Sequence, residues 1–186
     1  MMFAVTIVTV PSGAQSSRHA FDVQHSKMTV DVAKRGLFSF LADNHEIDAP
    51  ITSGSYDSAS NSVEVIVDAA KLRVLDPKLA PDRRNTVQAN MTGPQVLDAE
   101  KYPTISFRST KVVPVDASRL TVTGDLTLHG QTHPVTFQVV KKDDGHFAGS
   151  ATVRQTAFGI TPIKIAGGAV SVRDDVTVQF EIALAA

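Results

Sequence analysis

The chain contains no cysteine and no tryptophan. Without thiols it can form no disulfide, no thiolate zinc site and no iron–sulfur ligation, and it has no cysteine nucleophile. Nor does it contain a stretch approaching the roughly eighteen consecutive apolar residues that a membrane-spanning helix needs. An excess of charge is missing too: 18 Lys and Arg stand against 19 Asp and Glu, a formal net charge of −1. A chain so balanced offers no electrostatic footprint for a nucleic-acid backbone or an anionic membrane, so nucleic acid is set aside as a partner and membrane contact is at most peripheral. The G-x-S-x-G elbow, the H-E-x-x-H helix and the P-loop do not occur.

What is present suits one domain, since 186 residues can bury a core of their own. Phe3 to Val10 form a short apolar run followed by Pro11, Ser12, Gly13 and Ala14. Small residues at 12 and 14 suit signal cleavage after Ala14, although no Lys or Arg precedes the run. Residues 1–15 are therefore expected to be a signal peptide or a disordered N-terminus, with a β-barrel domain over 19–186, and a periplasmic or secreted location follows from that reading.

Beyond residue 18 the apolar positions recur with period two. Met28, Val30 and Val32 alternate, as do Val63, Val65 and Val67, and Ile105, Phe107, Ser109, Lys111 and Val113 keep one parity. Leu120, Val122, Gly124, Leu126 and Leu128 make one face of a long strand, and Val135, Phe137 and Val139 one face of the next. Asp143-Asp144-Gly145 is a hairpin turn, after which Phe147, Gly149, Ala151 and Val153, then Val176, Val178, Phe180, Ile182 and Leu184, continue the pattern. One helical excursion is predicted near residues 82–98, where Val87 and Met91 share a face before Gly93-Pro94, with a further helical turn from Gln95 to Ala99. The fold class is all-β: one antiparallel, roughly eight-stranded barrel with that single helix. A barrel of this size either fills its bore with side chains or holds one slender ligand, and periodicity alone does not decide between them.

Six histidines without cysteine raise metal and acid–base chemistry. With a two-residue turn at Gly130-Gln131, His129 pairs with Thr132 and His133 faces the other way, so no shared metal site is expected. Asp43, His45, Glu46 and Asp48 are expected on a solvated loop. No metal, cofactor or catalytic residue is assigned. The enzymatic alternative rests on His25, His45 and Arg84 converging at one barrel mouth; a packed barrel that binds a protein partner is the other alternative.

The order and spacing of several short pieces resemble the YceI-like family. They are Phe21-Asp22-Val23 with His25-Ser26; Tyr102-Pro103 with Ile105, Phe107, Ser109 and Thr110; Gly124-Asp125-Leu126-Thr127-Leu128-His129-Gly130 with Thr132, Pro134 and Val135; and Arg154 with Phe158-Gly159-Ile160. The stretch from Lys34 to Ile47 departs from the commoner pattern, as a divergent branch would. The resemblance implies a lipocalin-like barrel, commonly exported, that binds a polyisoprenoid or isoprenoid quinone in its bore without catalysis. On that reading Leu37, Phe38, Phe40, Met91, Phe107, Leu126, Leu128, Phe158 and Ile160 are the candidates for the apolar tail. His25, His45, Arg84 and Arg154 are those for the head group at the mouth. The partner is an isoprenoid lipid or other long apolar molecule, and a homodimer stays open.

Overall fold

A computed structural model describes residues 17–35, 44–143, 145–165 and 170–185. The expected leader, Leu37, Phe38, Phe40 and Asp43 all lie outside them. In chain order the strands are β1 (Arg18–Ala20), β2 (Lys27–Val32), β3 (Lys34–Arg35), β4 (His45–Asp48), β5 (Ile51–Asp57), β6 (Ser62–Asp68) and β7 (Arg73–Val74). After helix α1 (Pro81–Thr92) come β8 (Thr104–Pro114), β9 (Arg119–Leu128), β10 (Gln131–Asp143), β11 (His146–Arg154), β12 (Lys164–Ile165), β13 (Val170–Val172) and β14 (Asp175–Ala183).

Eleven of these segments form one antiparallel sheet in the order β1-β5-β6-β8-β9-β10-β11-β14-β2-β4-β7. The sheet has more segments than the eight strands expected because three runs are interrupted. β1 and β2 lie successively along β5 and β4, and β6 and β7 along the other side of the same run. Counted as runs, with each of those three pairs taken as one, the segments reduce to eight. The sheet closes where β14 pairs with β2 and an antiparallel bridge joins Phe21 to Leu184. Asp22 N–H to Ala183 O and Ala185 N–H to Ala20 O, both 2.8 Å, complete that seam. Among the described residues, closure leaves no long unpaired edge.

The antiparallel register sorts the connections. Tight turns between β5 and β6, β8 and β9, and β10 and β11 lie at one end of the barrel. The other end carries the β9–β10 turn and the long links, including α1 and a small sheet of β12, β13 and β3. Pro81 opens α1 and Gly93 closes it, its N–H bonding Ala89 O. The helix is mostly polar; Met91 is buried in the core with Val87 packed against it, and two further side chains bond nearby backbone. Gln88 accepts from Val74 N–H and donates to Leu72 O, each at 2.9 Å, while Arg84 Nη2 donates to Leu79 O. The helical turn expected from Gln95 to Ala99 is instead a set of overlapping tight turns.

Three local expectations are corrected. The register of β8 on β9 shifts at Thr110, so Val112 rather than Lys111 and Val113 follows Ser109 on the inner face. There the Ser109 hydroxyl accepts Val63 N–H at 2.7 Å, and the extra residue is absorbed as a bulge. The β9–β10 turn is His129-Gly130, both with positive φ, which pairs Leu128 with Gln131 and His133 with Leu126. His129 tolerates that conformation while its Nδ1 meets Phe158 O at 3.1 Å and its ring packs edge-on against Tyr102. Finally, His45–Asp48 is a strand of the sheet, not a loop.

The β8–β9 turn is tied by one carboxylate. Asp116 accepts Ser118 N–H at 2.9 Å, Arg119 Nε at 2.7 Å and Arg119 N–H at 2.8 Å. Those donors, the Ser118 amide foremost, hold its pKa down to about 2, against 3.8 for a free carboxylate. A depressed folded value means the clamp is fully present above about 3.8 and is lost as pH falls through about 2. A carboxyl titration followed by NMR is expected to place the Asp116 midpoint near 2; a midpoint close to 3.8 would show the turn to be unclamped.

Candidate functional site

Because side chains alternate across each strand, the inner parity of every run points into the bore. Val63, Val65 and Val67 on β6, Leu120, Val122, Leu126 and Leu128 on β9, Val135, Phe137 and Val139 on β10, and Val176, Val178 and Phe180 on β14 all line it. At the end carrying the long links, Leu72, Met91, Leu97 and Ile160 are buried and close the floor. Inside is a cavity of about 520 Å³, within the roughly 300–1,000 Å³ of small-molecule sites. Among the described residues the polar members of its wall are Tyr56, Ser106, Lys141 and Gln155. Everything else that lines it is aliphatic or phenyl.

Three glycines lie beneath phenylalanine rings of the wall: Gly54 under Phe21, Gly124 under Phe107 and Gly149 under Phe180. A Cβ on Gly124 would lie 2.5 Å from the Phe107 ring, and one on Gly149 would lie 2.6 Å from the Phe180 ring. Each ring therefore occupies the space above a glycine on the neighbouring strand instead of standing into the lumen. Phe137, between them on β10, has its centroid 5.3 Å from that of Phe107 and 5.5 Å from that of Phe180. The three rings make a continuous aromatic strip across β8 to β14, within the separations at which tilted and edge-to-face pairs attract.

Of the tail candidates, Met91, Phe107, Leu126, Leu128 and Ile160 are brought together around this cavity. Phe158 is not in its lining. At 2 % exposure it is packed in the core beside the bore, its ring edge-on to His133 with centroids 5.2 Å apart. The head-group candidates are not brought together, and none of them lines the cavity. His25 Nδ1 lies 2.6 Å from Asp22 on an exposed turn, and that contact holds the Asp22 carboxyl below its usual range. His45 Nδ1 lies 2.5 Å from Asp76, a buried carboxylate that also accepts Glu46 N–H. Arg154 Nε donates to Asp175 at the surface, and Arg84 is on α1, where its buried Nε has no hydrogen-bond partner among the described residues. Lining residues not named as ligand candidates from the sequence include Tyr56, Lys141, Phe137 and Phe180. The signal for Lys141 was visible, since Val135, Phe137 and Val139 point in phase to it.

Truncating a side chain that faces an open cavity creates less new void than truncating one in a packed core. Phe158→Ala is therefore expected to cost about 3–5 kcal/mol of unfolding free energy, and Phe137→Ala clearly less. Urea denaturation of the two variants measures the difference; equal costs would mean that the bore is packed.

Comparison with known proteins agrees with this architecture. A UPF0312 protein of Vibrio cholerae is 28% identical over 165 residues, covering 83% of each chain. One of Vibrio parahaemolyticus is 31% identical over 134 residues, 70% of this chain and 66% of its own. Among solved structures, Burkholderia cenocepacia BcnA superposes with a TM-score of 0.66 at 21% identity, over 89% of this chain and 99% of its own. A polyisoprenoid binding domain from Saccharophagus degradans gives 0.60 at 13% identity, over 92% and 99%. At such identities these two show the shared fold. The YceI-like domain, as a family profile, matches residues 14–184, and the chain belongs to that family.

Proposed function

We propose that the protein binds a long apolar ligand of the isoprenoid class within its bore, as a carrier, store or sensor and not as a catalyst. The observation that supports this reading most directly is the apolar cavity of about 520 Å³ inside a closed barrel. Its wall offers few hydrogen-bonding groups, so it suits a hydrocarbon chain better than a polar metabolite. Transfer of such a chain from water supplies roughly 0.8 kcal/mol per buried methylene, before the ordering of its rotors is subtracted. The description of the Saccharophagus degradans domain as polyisoprenoid-binding supports the same ligand class. Catalysis by His25, His45 and Arg84 finds no comparable support, since each is bonded to a different part of the fold.

Native mass spectrometry of protein purified without detergent, followed by organic extraction, is the direct test. A stoichiometric apolar adduct is expected, and geranylgeraniol added to stripped protein should restore one. Leu126→Glu places a charge in the bore wall, where an unpaired carboxylate is costly, and should abolish retention. Arg154→Ala, at the surface, should leave retention intact, with circular dichroism confirming that both variants fold. Retention by folded Leu126→Glu equal to that of the parent would defeat the proposal.

A further inference from the structure

The two ends of the bore differ. Towards the long links Leu72, Met91, Leu97 and Ile160 line it and are buried, whereas towards the tight turns Tyr56, Val112 and Leu120 line it and are half-buried. None of the four floor residues belongs to a strand. The links therefore insert the floor from outside the ladder, and the depth of the bore is set separately from its wall. Among the described residues Met91 is the one member of α1 in the lining. Its backbone is pinned on both sides. Leu97 N–H donates to Met91 O at 3.0 Å, Gly93 N–H donates to Ala89 O at 2.9 Å, and on the preceding turn Gln88 bonds both Val74 N–H and Leu72 O. The side chain thus enters the bore from a fixed point, and its own length decides where the bore ends.

On the reading that the bore holds an apolar chain, we propose that the protein selects its ligand by chain length, with Met91 as the stop. The volume fixes the scale. A water-sized group occupies about 30 Å³ and a methylene is close to that size, so a cavity of about 520 Å³ covers roughly fifteen to twenty carbons, or about three to four isoprene units. A longer chain must leave its remainder in water. Which end of the chain leads makes no difference to this limit, because the limit is one of space. Each methylene moved from water into the bore tightens binding roughly fourfold before its rotor is ordered. Affinity therefore climbs steeply with length until the chain meets the stop, and levels off beyond it. A methionine suits the position, since its unbranched side chain can settle against the end of whatever chain fills the space.

The experiment is pairwise competition among the neutral prenols geraniol, farnesol, geranylgeraniol, hexaprenol and octaprenol, read by native mass spectrometry, with circular dichroism confirming that each variant folds. In the parent, affinity should rise at least about tenfold at each step up to geranylgeraniol and less than about threefold at each step beyond it. Met91→Ala removes about three heavy atoms from the floor and should strengthen hexaprenol relative to farnesol by about tenfold. Met91→Phe lengthens the stop and should weaken geranylgeraniol relative to geraniol. Met91→Leu, of similar volume, should keep the parent's profile. Should Met91→Ala fail to fold, the opposite shift in Met91→Phe decides. Affinity that keeps climbing through octaprenol in the parent, or a profile that the folded Met91 variants leave unmoved, overturns the stop while the apolar bore stands. Failure of every prenol to bind the parent overturns the reading on which the stop rests.

Discussion

The ladder between β14 and β2, continued by the bridge between Phe21 and Leu184, joins the first run of the barrel to the last, and the bore exists because of that seam. An open sheet of these strands would expose a wall of Val, Leu, Ile and Phe on one face and unpaired backbone groups at two edges. Closure satisfies the backbone and turns the apolar face inward in one step. Every inward parity described above is then a consequence of period-two geometry on a closed surface. The same closure forces α1 and the small β12-β13-β3 sheet to one end, since strands paired on both sides leave no room for them within the ladder.

A closed wall of bulky side chains tends to fill its own interior, and here pairs of residues prevent that. Phe107 and Phe180 cover glycines on the adjacent strands, so large apolar groups contribute surface to the wall without projecting across the lumen. Phe137 joins their rings into a strip. The result is a bore that is apolar yet not packed. Phe158, by contrast, meets its neighbours on all sides and belongs to the wall's support.

Much of this was legible in the sequence, because alternation over β6, β9, β10, β11 and β14 is a strong signal wherever one face is buried. The Thr110 bulge was not, since a single extra residue leaves the composition of a strand unchanged while reversing the faces beyond it. The β9–β10 turn was misplaced by one residue because His129, not Gln131, takes the left-handed position, and what supports it there is Phe158, distant in sequence. The mouth was read least well. Charge and approximate position suggested His25, His45, Arg84 and Arg154, but each is engaged locally by a carboxylate or a carbonyl. Phase along β10 was the better guide, because it carries the inner face through to Lys141.

The seam has a further consequence, in the order of assembly. Its contacts span nearly the whole described chain, from Ala20 and Phe21 to Leu184 and Ala185. Loop-closure entropy opposes such distant contacts until the intervening hairpins have formed, and topologies dominated by them fold slowly. During synthesis β2 has no β14 to pair with until the final strand has emerged. Until then the nascent sheet presents a bare edge and an uncovered apolar face, so the chain is most open to aggregation just before its last strand arrives.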